Sequence, residues 1–293
     1  MNMKTMNTKL TSVSILAALL ASAGASSADI TVKGSDTLVI LAQKWAEVYM
    51  GQKSGVKIQV TGGGTGTGFA ALQNQQTDLC NASRKIKATE QANCVKAFGK
   101  RPTEYKVAVD GLSVYVNAAN KVKELSIDQL EQIFTGKIRN WKDVGGEDLA
   151  ITVYSRENSS GTYEFFKEHV LKGKDFVASA QTMPGTAAVL QAVANDPKGI
   201  GYGGAAYGAG AKHLAIKKDE ASPAIEPGEE TVMQGAQGSE QGYPIWRYLY
   251  IYVNPALDKG DIGAYLNWIR SDEGQKIVKD IGYFPLPQNL RSK

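Results

Sequence analysis

Histidine and cysteine are scarce in this sequence, since the chain of 293 residues contains two of each. His169 and His213 lie in no ligand-spacing motif with each other or with the cysteines, which argues against a zinc site and against a histidine-based hydrolase. Charge of one sign is also scarce, because the net charge is only +4. A near-neutral chain of this length gives no electrostatic reason to expect nucleic-acid binding. The apolar run of residues 13–23 is too short, and too rich in Ala and Ser, to be a membrane span.

Residues 1–28 have the pattern of a secretory signal peptide. Lys4 and Lys9 form a basic start, an apolar stretch follows, and small residues end at Ala28, where we predict cleavage. Removing this segment takes two of the 33 basic residues and none of the 29 acidic ones, so the mature chain carries a net charge of +2. We therefore predict a soluble protein of the periplasm.

Cys80 and Cys94 both remain in the mature chain. The periplasm is oxidising, and an isolated pair at short separation predicts one disulfide that closes a small loop. A metal site would need further ligands near them, and the sequence offers none in a recognisable spacing.

Strand-like and helix-like stretches alternate after residue 29, which predicts an α/β protein with mainly parallel sheets. Three early strands each run into a short turn of small donor residues. These turns are Gly34–Thr37, the glycine run of residues 61–68, and Ser83–Arg84. Ligands of open α/β sheets bind at the carboxyl ends of the strands, so we expect the three turns to line one site.

Two longer runs, residues 107–117 and 246–253, are rich in β-branched and aromatic residues. They are predicted to be strands that cross between two parts of the chain. Residues 217–242 are polar and contain Pro and Gly, which favours a loop.

The segment Ser155–Thr162 carries the strongest chemical signal in the second half of the chain. An apolar run before it predicts a buried strand, and helical spacing after it predicts a helix that begins near Ser160. The first N–H groups of a helix have no internal partner and carry the positive end of its dipole, so this point suits an oxyanion. Arg156 would add a planar fork of donors. The alternative is an ordinary N-cap beside a solvated arginine.

The glycine run admits several interpretations. It lacks the Lys-Ser/Thr ending of a P-loop, and no acidic residue follows in the setting that a dinucleotide site requires, so no nucleotide cofactor is expected. Glycines here would permit the backbone to approach an anion closely. The alternative is a flexible loop without a ligand.

Together these segments resemble those of the periplasmic phosphate-binding proteins of ABC importers, over essentially the whole mature length. The shared marks are Gly34–Leu38, the glycine run before Phe69, Asn81–Arg84, Arg156–Thr162 and Tyr243–Pro244. The resemblance implies a type II periplasmic binding protein, in which two α/β lobes with mixed, mainly parallel sheets are joined by two crossing hinge strands. We place the hinges near residues 112 and 248. Lobe I would then comprise residues 29–112 and 249–293, and lobe II residues 113–248.

The resemblance also implies which residues bind the anion. Ser35, Asp36 and Thr37 would line the site, the Leu38 N–H would be a further donor, and Thr65 would replace a family serine. The full expected set is Ser35, Asp36, Thr37, Leu38, Thr65, Ser83, Arg84, Arg156, Ser160, Gly161 and Thr162.

Arg84 is a departure from the family pattern, because the best-known members carry there an aspartate that accepts a hydrogen bond from the protonated ligand. Asp36 would take over this role, and Arg84 would contact the anion, pair with Asp36 or face solvent. Phosphate near neutral pH keeps a proton whereas sulfate does not, so a carboxylate in the site favours phosphate. The alternative for Asp36 is an N-cap of the first helix.

The predicted function is capture of inorganic phosphate and its delivery to the membrane permease of an ABC importer, by a monomer that needs no cofactor or metal. One alternative is a binder of sulfate, molybdate or tungstate, and another is an anion receptor that reports to a signalling partner. A secreted phosphatase, with Ser160 or Thr65 as nucleophile and Asp36 as helper, would lack a poised base or metal, so the protein is not expected to be an enzyme.

Overall fold

Strands form in this chain where apolar and β-branched residues follow one another, and helices form where apolar residues recur on one face. The computed structural model describes residues 28–208 and 210–291. The predicted signal peptide therefore lies outside the described residues, except for Ala28, where the first strand begins.

The strands are β1 Ala28–Gly34, β2 Val56–Gly63, β3 Leu79–Ala82, β4 Thr103–Val116, β5 Glu124–Ser126, β6 Thr152–Arg156, β7 Gln181–Met183, β8 Gly199–Gly204, β9 Lys212–His213, β10 Ala215–Lys217, β11 Ala224–Ile225 and β12 Trp246–Val253. The helices are α1 Val39–Gln52, α2 Thr65–Gln73, α3 Ala88–Phe98, α4 Ile127–Phe134, α5 Gly161–His169, α6 Gly185–Asn195, α7 Glu229–Ala236, α8 Gly260–Ile269 and α9 Asp272–Ile281. None of these helices is long and apolar enough to cross a membrane.

The main sheet has the strand order β2-β1-β3-β12-β4-β8-β6-β7, and β9 also pairs with β4. Strands β1, β2 and β3 are parallel to one another on one flank, and β6, β7 and β8 are parallel on the other flank. The predicted α/β architecture is thus confirmed, and within each flank the parallel strands place their carboxyl ends at the same edge.

The two predicted crossing strands, β4 and β12, form the centre of the main sheet. They pair antiparallel with each other, from Trp246 opposite Gly111 to Val253 opposite Thr103. Their outer neighbours β3 and β8 also pair antiparallel with them. Parallel pairing therefore holds within each flank, while the crossing strands join the flanks by antiparallel pairs.

Each flank of the sheet has its own hydrophobic core. Trp45, Tyr49 and Leu266 belong to the core beside β1, and Phe134 and Phe166 belong to the core beside β8. Strand β4 contributes to both cores, with Val107 in the core beside β1 and Val114 in the core beside β8, so this crossing strand connects the two flanks.

The prediction of a loop over residues 217–242 is wrong, because that range contains β11 and α7. Helix α7 has eight residues, of which Val232 and Gly235 are buried. Two buried positions in so short a segment give too weak a periodic signal to be recognised among polar neighbours.

Candidate anion-binding site

The turn after β1 depends on a glycine. Gly34 has φ +137°, and a side chain there would meet the Asn81 carbonyl oxygen at 2.1 Å. Only glycine therefore lets the end of β1 approach β3 so closely. The Ser35 N–H donates to the same Asn81 oxygen at 2.9 Å, and this bond fixes the direction in which the chain leaves the strand.

Residues Asp36–Leu38 continue this turn as a short 3-10 helix. The Leu38 N–H closes it by donating to the Ser35 carbonyl oxygen at 3.0 Å. That donor is therefore engaged within the turn in this structure, and its predicted role towards an anion stays a prediction. The Leu38 side chain is buried in the core beside β1.

Asp36 connects the first turn to two other segments. Its Oδ1 accepts a hydrogen bond from the Gly63 N–H at 2.8 Å, and its Oδ2 accepts one from Arg156 Nη2 at 2.7 Å. The carboxylate fits there because Gly62 lacks a side chain, whose Cβ would lie 2.3 Å from Asp36 Oδ1. The side chain of Asp36 does not cap the first helix, so the N-cap alternative is excluded and its predicted role towards a ligand stays a prediction.

Arg156 lies at the end of β6 with its side chain almost fully buried, at 1% exposure. Besides its bond to Asp36, it donates from Nη1 to Thr186 Oγ1 at 2.9 Å. Its buried Nε has no hydrogen-bond partner among the described residues. A buried guanidinium donor without a partner is costly, so this atom suits a ligand oxygen.

Helix α5 begins where the sequence predicts. Ser160 is its N-cap, and the Ser160 Oγ accepts a hydrogen bond from the Tyr163 N–H at 3.2 Å. The next residue, Gly161, packs directly on the start of α2, since a Cβ at Gly161 would lie 2.4 Å from Thr65 Oγ1. The glycine therefore lets two helix starts from opposite flanks of the sheet meet.

The glycine run packs against the loop before α5. Gly64 has φ +92°, and a side chain there would lie 2.6 Å from the Ser159 carbonyl oxygen. The Gly66 N–H donates to that oxygen at 2.9 Å. Close backbone approach is thus present at this loop, and here it brings the two flanks together.

Four hydroxyl groups meet between these helix starts, and we call them the hydroxyl cluster: Thr37, Thr65, Ser83 and Thr162. Their oxygens are linked by distances of 2.8 Å from Thr37 to Thr162, 3.3 Å from Thr65 to Ser83, and 3.4 Å from Ser83 to Thr162. All four residues are at most 1% exposed. Four separate turns therefore converge on one buried polar point, as the sequence predicts.

The cluster is arranged to donate. A hydroxyl has one proton and two lone pairs, and fixed donors occupy lone pairs on two of these oxygens. Thr65 Oγ1 accepts from the Ser83 N–H at 3.1 Å, and Thr162 Oγ1 accepts from Arg247 Nη2 at 3.1 Å. Their own protons are then left to point into the cluster, where converging donors favour an anion.

Arg84 lies apart from this cluster. Its Nη1 and Nη2 donate to the two carboxylate oxygens of Glu90, each at 2.8 Å, and its Nε pairs with Glu164 Oε2. The structure therefore corrects the expectation that Arg84 contacts the anion or pairs with Asp36, because acidic residues of α3 and α5 already surround its guanidinium group. Arg84 instead bridges helices from the two flanks.

Cys80 and Cys94 are buried free thiols, so the predicted disulfide is not formed in this structure. Both residues belong to one hydrophobic cluster with Phe69. The Cys80 thiol lies 3.7 Å from the Asn81 carbonyl oxygen and close to Gly68, where a Cβ would lie 2.8 Å from its Sγ. The two cysteines serve here as small buried side chains, a role that their sequence spacing cannot distinguish from a cross-link.

Sequence reasoning missed Arg247 and its partner Asp110. Arg247 is 3% exposed and Asp110 is 0% exposed, and Nη2 of Arg247 lies 2.8 Å from Oδ2 of Asp110. A usable signal was present, because Arg247 is the single charged residue of β12 and Asp110 is the single charged residue of the apolar run 107–117 within β4. Buried charges are rarely found without a partner, so two opposite charges in two such strands predict an ion pair.

Two tyrosines also support the first turn from outside the predicted set. The Tyr207 hydroxyl donates to the Asp36 carbonyl oxygen at 2.7 Å, and the Tyr283 hydroxyl donates to the Thr37 carbonyl oxygen at 2.5 Å. Burial raises the pKa of Tyr207 to about 12, so this hydroxyl stays protonated as a donor at neutral pH. Among residues 28–208 and 210–291, no group of three or more His, Cys, Asp and Glu side chains is arranged to hold a metal ion.

The parallel flanks, the crossing strands and the buried donors between the flanks define a solute-binding protein of the periplasmic-binding class. A family model described as the PBP superfamily domain matches residues 21–273. The phosphate-binding protein PstS of Pseudomonas aeruginosa is 34% identical to the chain, over 91% of this chain and 86% of that protein. PstS of Bacillus subtilis is 32% identical, over 89% and 81%. The chain therefore belongs to the PBP superfamily and, within it, to the family of the PstS phosphate-binding proteins.

Solved structures agree with this assignment. A putative phosphate ABC transporter substrate-binding protein from Clostridium perfringens, with bound phosphate, is 25% identical and has a TM-score of 0.79, covering 88% of this chain and 100% of that chain. An ABC-type phosphate transport receptor from Vibrio cholerae is 25% identical, with a TM-score of 0.68 over 88% and 100%. The fold is thus shared along nearly the whole length.

Proposed function

We propose that this protein captures inorganic phosphate outside the cytoplasm and delivers it to the membrane permease of an ABC importer. The observation that carries the proposal is the buried hydroxyl cluster beside Arg156, whose Nε lacks a hydrogen-bond partner. Hydroxyl protons and a guanidinium fork are the donors that a tetrahedral oxyanion requires. The names of the similar proteins from Pseudomonas and Bacillus, and the bound phosphate in the Clostridium structure, support the same ligand.

Capture requires the two flanks to separate. The cluster oxygens lie within hydrogen-bond distance of one another and are buried, so an anion can reach them only when α2 moves away from α5. We assign lobe I to residues 29–112 and 249–293 and lobe II to residues 113–248, with β4 and β12 as the hinge. The buried residues of the core beside β1 all belong to lobe I, which supports this division, while the core beside β8 also takes in Phe284 and Leu286 of lobe I. The bound anion would replace the hydroxyl-to-hydroxyl bonds and hold the closed form, because only that form completes the set of donors.

Asp36 supplies the selectivity in this proposal. Its two oxygens already accept from Gly63 and Arg156, and each oxygen keeps a further lone pair. A phosphate that carries a proton can donate to one of them, whereas sulfate can only face the carboxylate with lone pairs.

A binding role accounts for the site better than hydrolysis does. A phosphatase would need a base near Thr65 or Ser160. The His169 ring is 3.0 Å from the Phe165 carbonyl oxygen and stacks on the Phe165 ring, and His213 packs edge-on against Tyr115. These contacts place neither imidazole on either hydroxyl. We therefore propose a monomeric transport protein without catalytic activity. The signal peptide would direct its export and would be removed by cleavage after Ala28.

The test is calorimetric titration of phosphate, and separately of sulfate, into protein that has been unfolded and refolded to remove any retained ligand. We expect one phosphate per chain and a weak response to sulfate. Arg156→Lys keeps the charge but loses the fork, and should lower phosphate affinity by about 10- to 100-fold, the value of one or two charge-assisted hydrogen bonds. Arg139→Lys, at an exposed arginine, serves as the control and should bind as the wild type does. Failure of the wild type to bind phosphate would refute the proposal. Tighter binding of sulfate than of phosphate would mean that the ligand is sulfate.

A further inference from the structure

Arg247 and Asp110 face each other across the two crossing strands. They are direct cross-strand partners in the pairing of β12 with β4. Arg247 donates from Nε and Nη2 to Asp110 Oδ2 at 3.0 and 2.8 Å, and Asp110 Oδ1 accepts from the Ala205 N–H at 3.2 Å. Because the pair is buried and nearly all its polar atoms are occupied, its orientation is fixed by the sheet itself.

The other side of the same guanidinium reaches the hydroxyl cluster. Its Nη1 donates to the Ser83 carbonyl oxygen at 3.1 Å, and its Nη2 donates to Thr162 Oγ1 at 3.1 Å. Its Cζ lies 5.3 Å from the centre of the Phe165 ring. Arg247 thus contacts the end of β3 on one flank and the first two turns of α5 on the other.

We infer that Arg247 is a positioning residue of the proposed phosphate site, which holds the Thr162 hydroxyl so that its proton points at the anion. This inference rests on the proposed function. A free threonine hydroxyl rotates and can present either its proton or a lone pair. One lone pair of Thr162 Oγ1 accepts the Arg247 N–H on the side of the crossing strands. The Thr162 proton is therefore directed to the opposite side, where the hydroxyls of Thr37 and Ser83 lie.

Asp110 explains why Arg247 acts through Thr162 and does not serve as a ligand itself. The carboxylate is fully buried and lies opposite the guanidinium, so it balances that charge. Arg156, in contrast, retains an unpartnered Nε. The two arginines therefore have separate roles, with Arg156 facing the anion and Arg247 fixing the donor beside it.

The geometry requires arginine. The planar fork serves Asp110, Ser83 and Thr162 at once, while a lysine ammonium is a single point on a flexible chain. Arg247→Lys would keep a charge opposite Asp110, and so would avoid an unpaired buried carboxylate, but would lose the simultaneous contacts with Ser83 and Thr162.

The experiment is a double-mutant cycle measured by phosphate calorimetry on Arg247→Lys, Thr162→Val and the double variant. We expect each single substitution to weaken binding by about 10-fold or more, and the double variant to bind within about threefold of Thr162→Val, because residues that act through one contact are not additive. In a Thr162→Ser background, which keeps a hydroxyl at this position, Arg247→Lys should lower phosphate affinity by about the same factor as in the wild type.

Arg270→Lys is the matched control. Arg270 is also buried, donates to the Leu290 carbonyl oxygen and lies 5.1 Å from the Tyr105 ring centre, so it resembles Arg247 in packing but lies outside the site. It should not change phosphate affinity. If Arg247→Lys does not fold, the paired substitution Asp110→Asn with Arg247→Gln removes both charges together and takes its place in the cycle.

The outcomes separate the two ideas. The positioning role would be overturned if the losses in phosphate affinity of the two single variants multiplied in the double variant. It would also be overturned if Arg247→Lys bound phosphate as the wild type does. In both cases the proposed function would stand. A wild-type protein that does not bind phosphate would overturn the proposed function and, with it, this inference.

Discussion

Replacing Asp36 by Asn tests how the site would distinguish two anions of similar shape. The substitution keeps the size of the side chain but removes its charge. An asparagine can still accept the Gly63 N–H through its carbonyl oxygen, as Asp36 Oδ1 does at 2.8 Å. Its amide group would then face Arg156 Nη2, which lies 2.7 Å from Asp36 Oδ2, so that two donors would oppose each other.

The magnitude follows from the bonds that change. A hydrogen bond to a charged group contributes about 1.5–3 kcal/mol, which corresponds to about 10- to 100-fold in affinity. Protonated phosphate would lose such an acceptor. Sulfate would instead gain, because the like charge of the carboxylate is gone and the Arg156 guanidinium is no longer balanced by it. The phosphate-to-sulfate affinity ratio should therefore fall by at least about tenfold, and this ratio is a cleaner quantity than either affinity alone.

The assay is paired titration of both anions into ligand-free wild type and Asp36→Asn at pH 7. Asp78→Asn is a suitable control, since Asp78 is a half-buried carboxylate of the same flank that accepts from the Thr31 N–H and hydroxyl at 2.7 and 2.8 Å. It should leave the ratio unchanged. If Asp36→Asn also left the ratio unchanged, the carboxylate would have no part in selectivity and the reasoning would be refuted.

Two further predictions concern packing. Gly161→Ala should lower phosphate affinity by about 10- to 100-fold in titration, because its Cβ would lie 2.4 Å from Thr65 Oγ1 in the closed form and overpacking costs about 1–3 kcal/mol. Gly51→Ala has open space around its Cβ and should bind normally; equal affinity for both variants would contradict the closed arrangement. Cys80 and Cys94 should react with a thiol reagent at pH 8 only after unfolding, since burial raises the pKa of Cys94 to about 11 and that of Cys80 also rises through burial. If protein that was unfolded without a reducing agent showed no reactive thiols, the two cysteines would form the disulfide after all.

Local patterns were enough to predict most of the segments that converge at the hydroxyl cluster. Strand ends followed by glycine and small donors predicted the turns that carry Thr37, Thr65 and Ser83, and helical spacing predicted the start of α5 at Ser160. Such signals depend on neighbours in the sequence, and parallel pairing brings the carboxyl ends of the strands within each flank to one edge.

Contacts between distant segments were the part that sequence reasoning could not supply. Whether Arg84 would meet an anion or an acid depended on where Glu90 and Glu164 lie in three dimensions. The Leu38 N–H donates within a local 3-10 turn, which differs from the predicted helix start by a single hydrogen-bond register. The two cysteines illustrate the same limit, because a short separation along the chain does not determine whether two buried thiols pair.

The most direct test of the account is a crystal structure of the mature protein grown with phosphate. We predict one anion among the hydroxyls of Thr37, Thr65, Ser83 and Thr162, with Arg156 donating to it and Arg84 still bound to Glu90. An anion found instead in the open groove of about 660 Å³ that Lys85 and Lys106 line, with the hydroxyl cluster still closed on itself, would contradict the central claim.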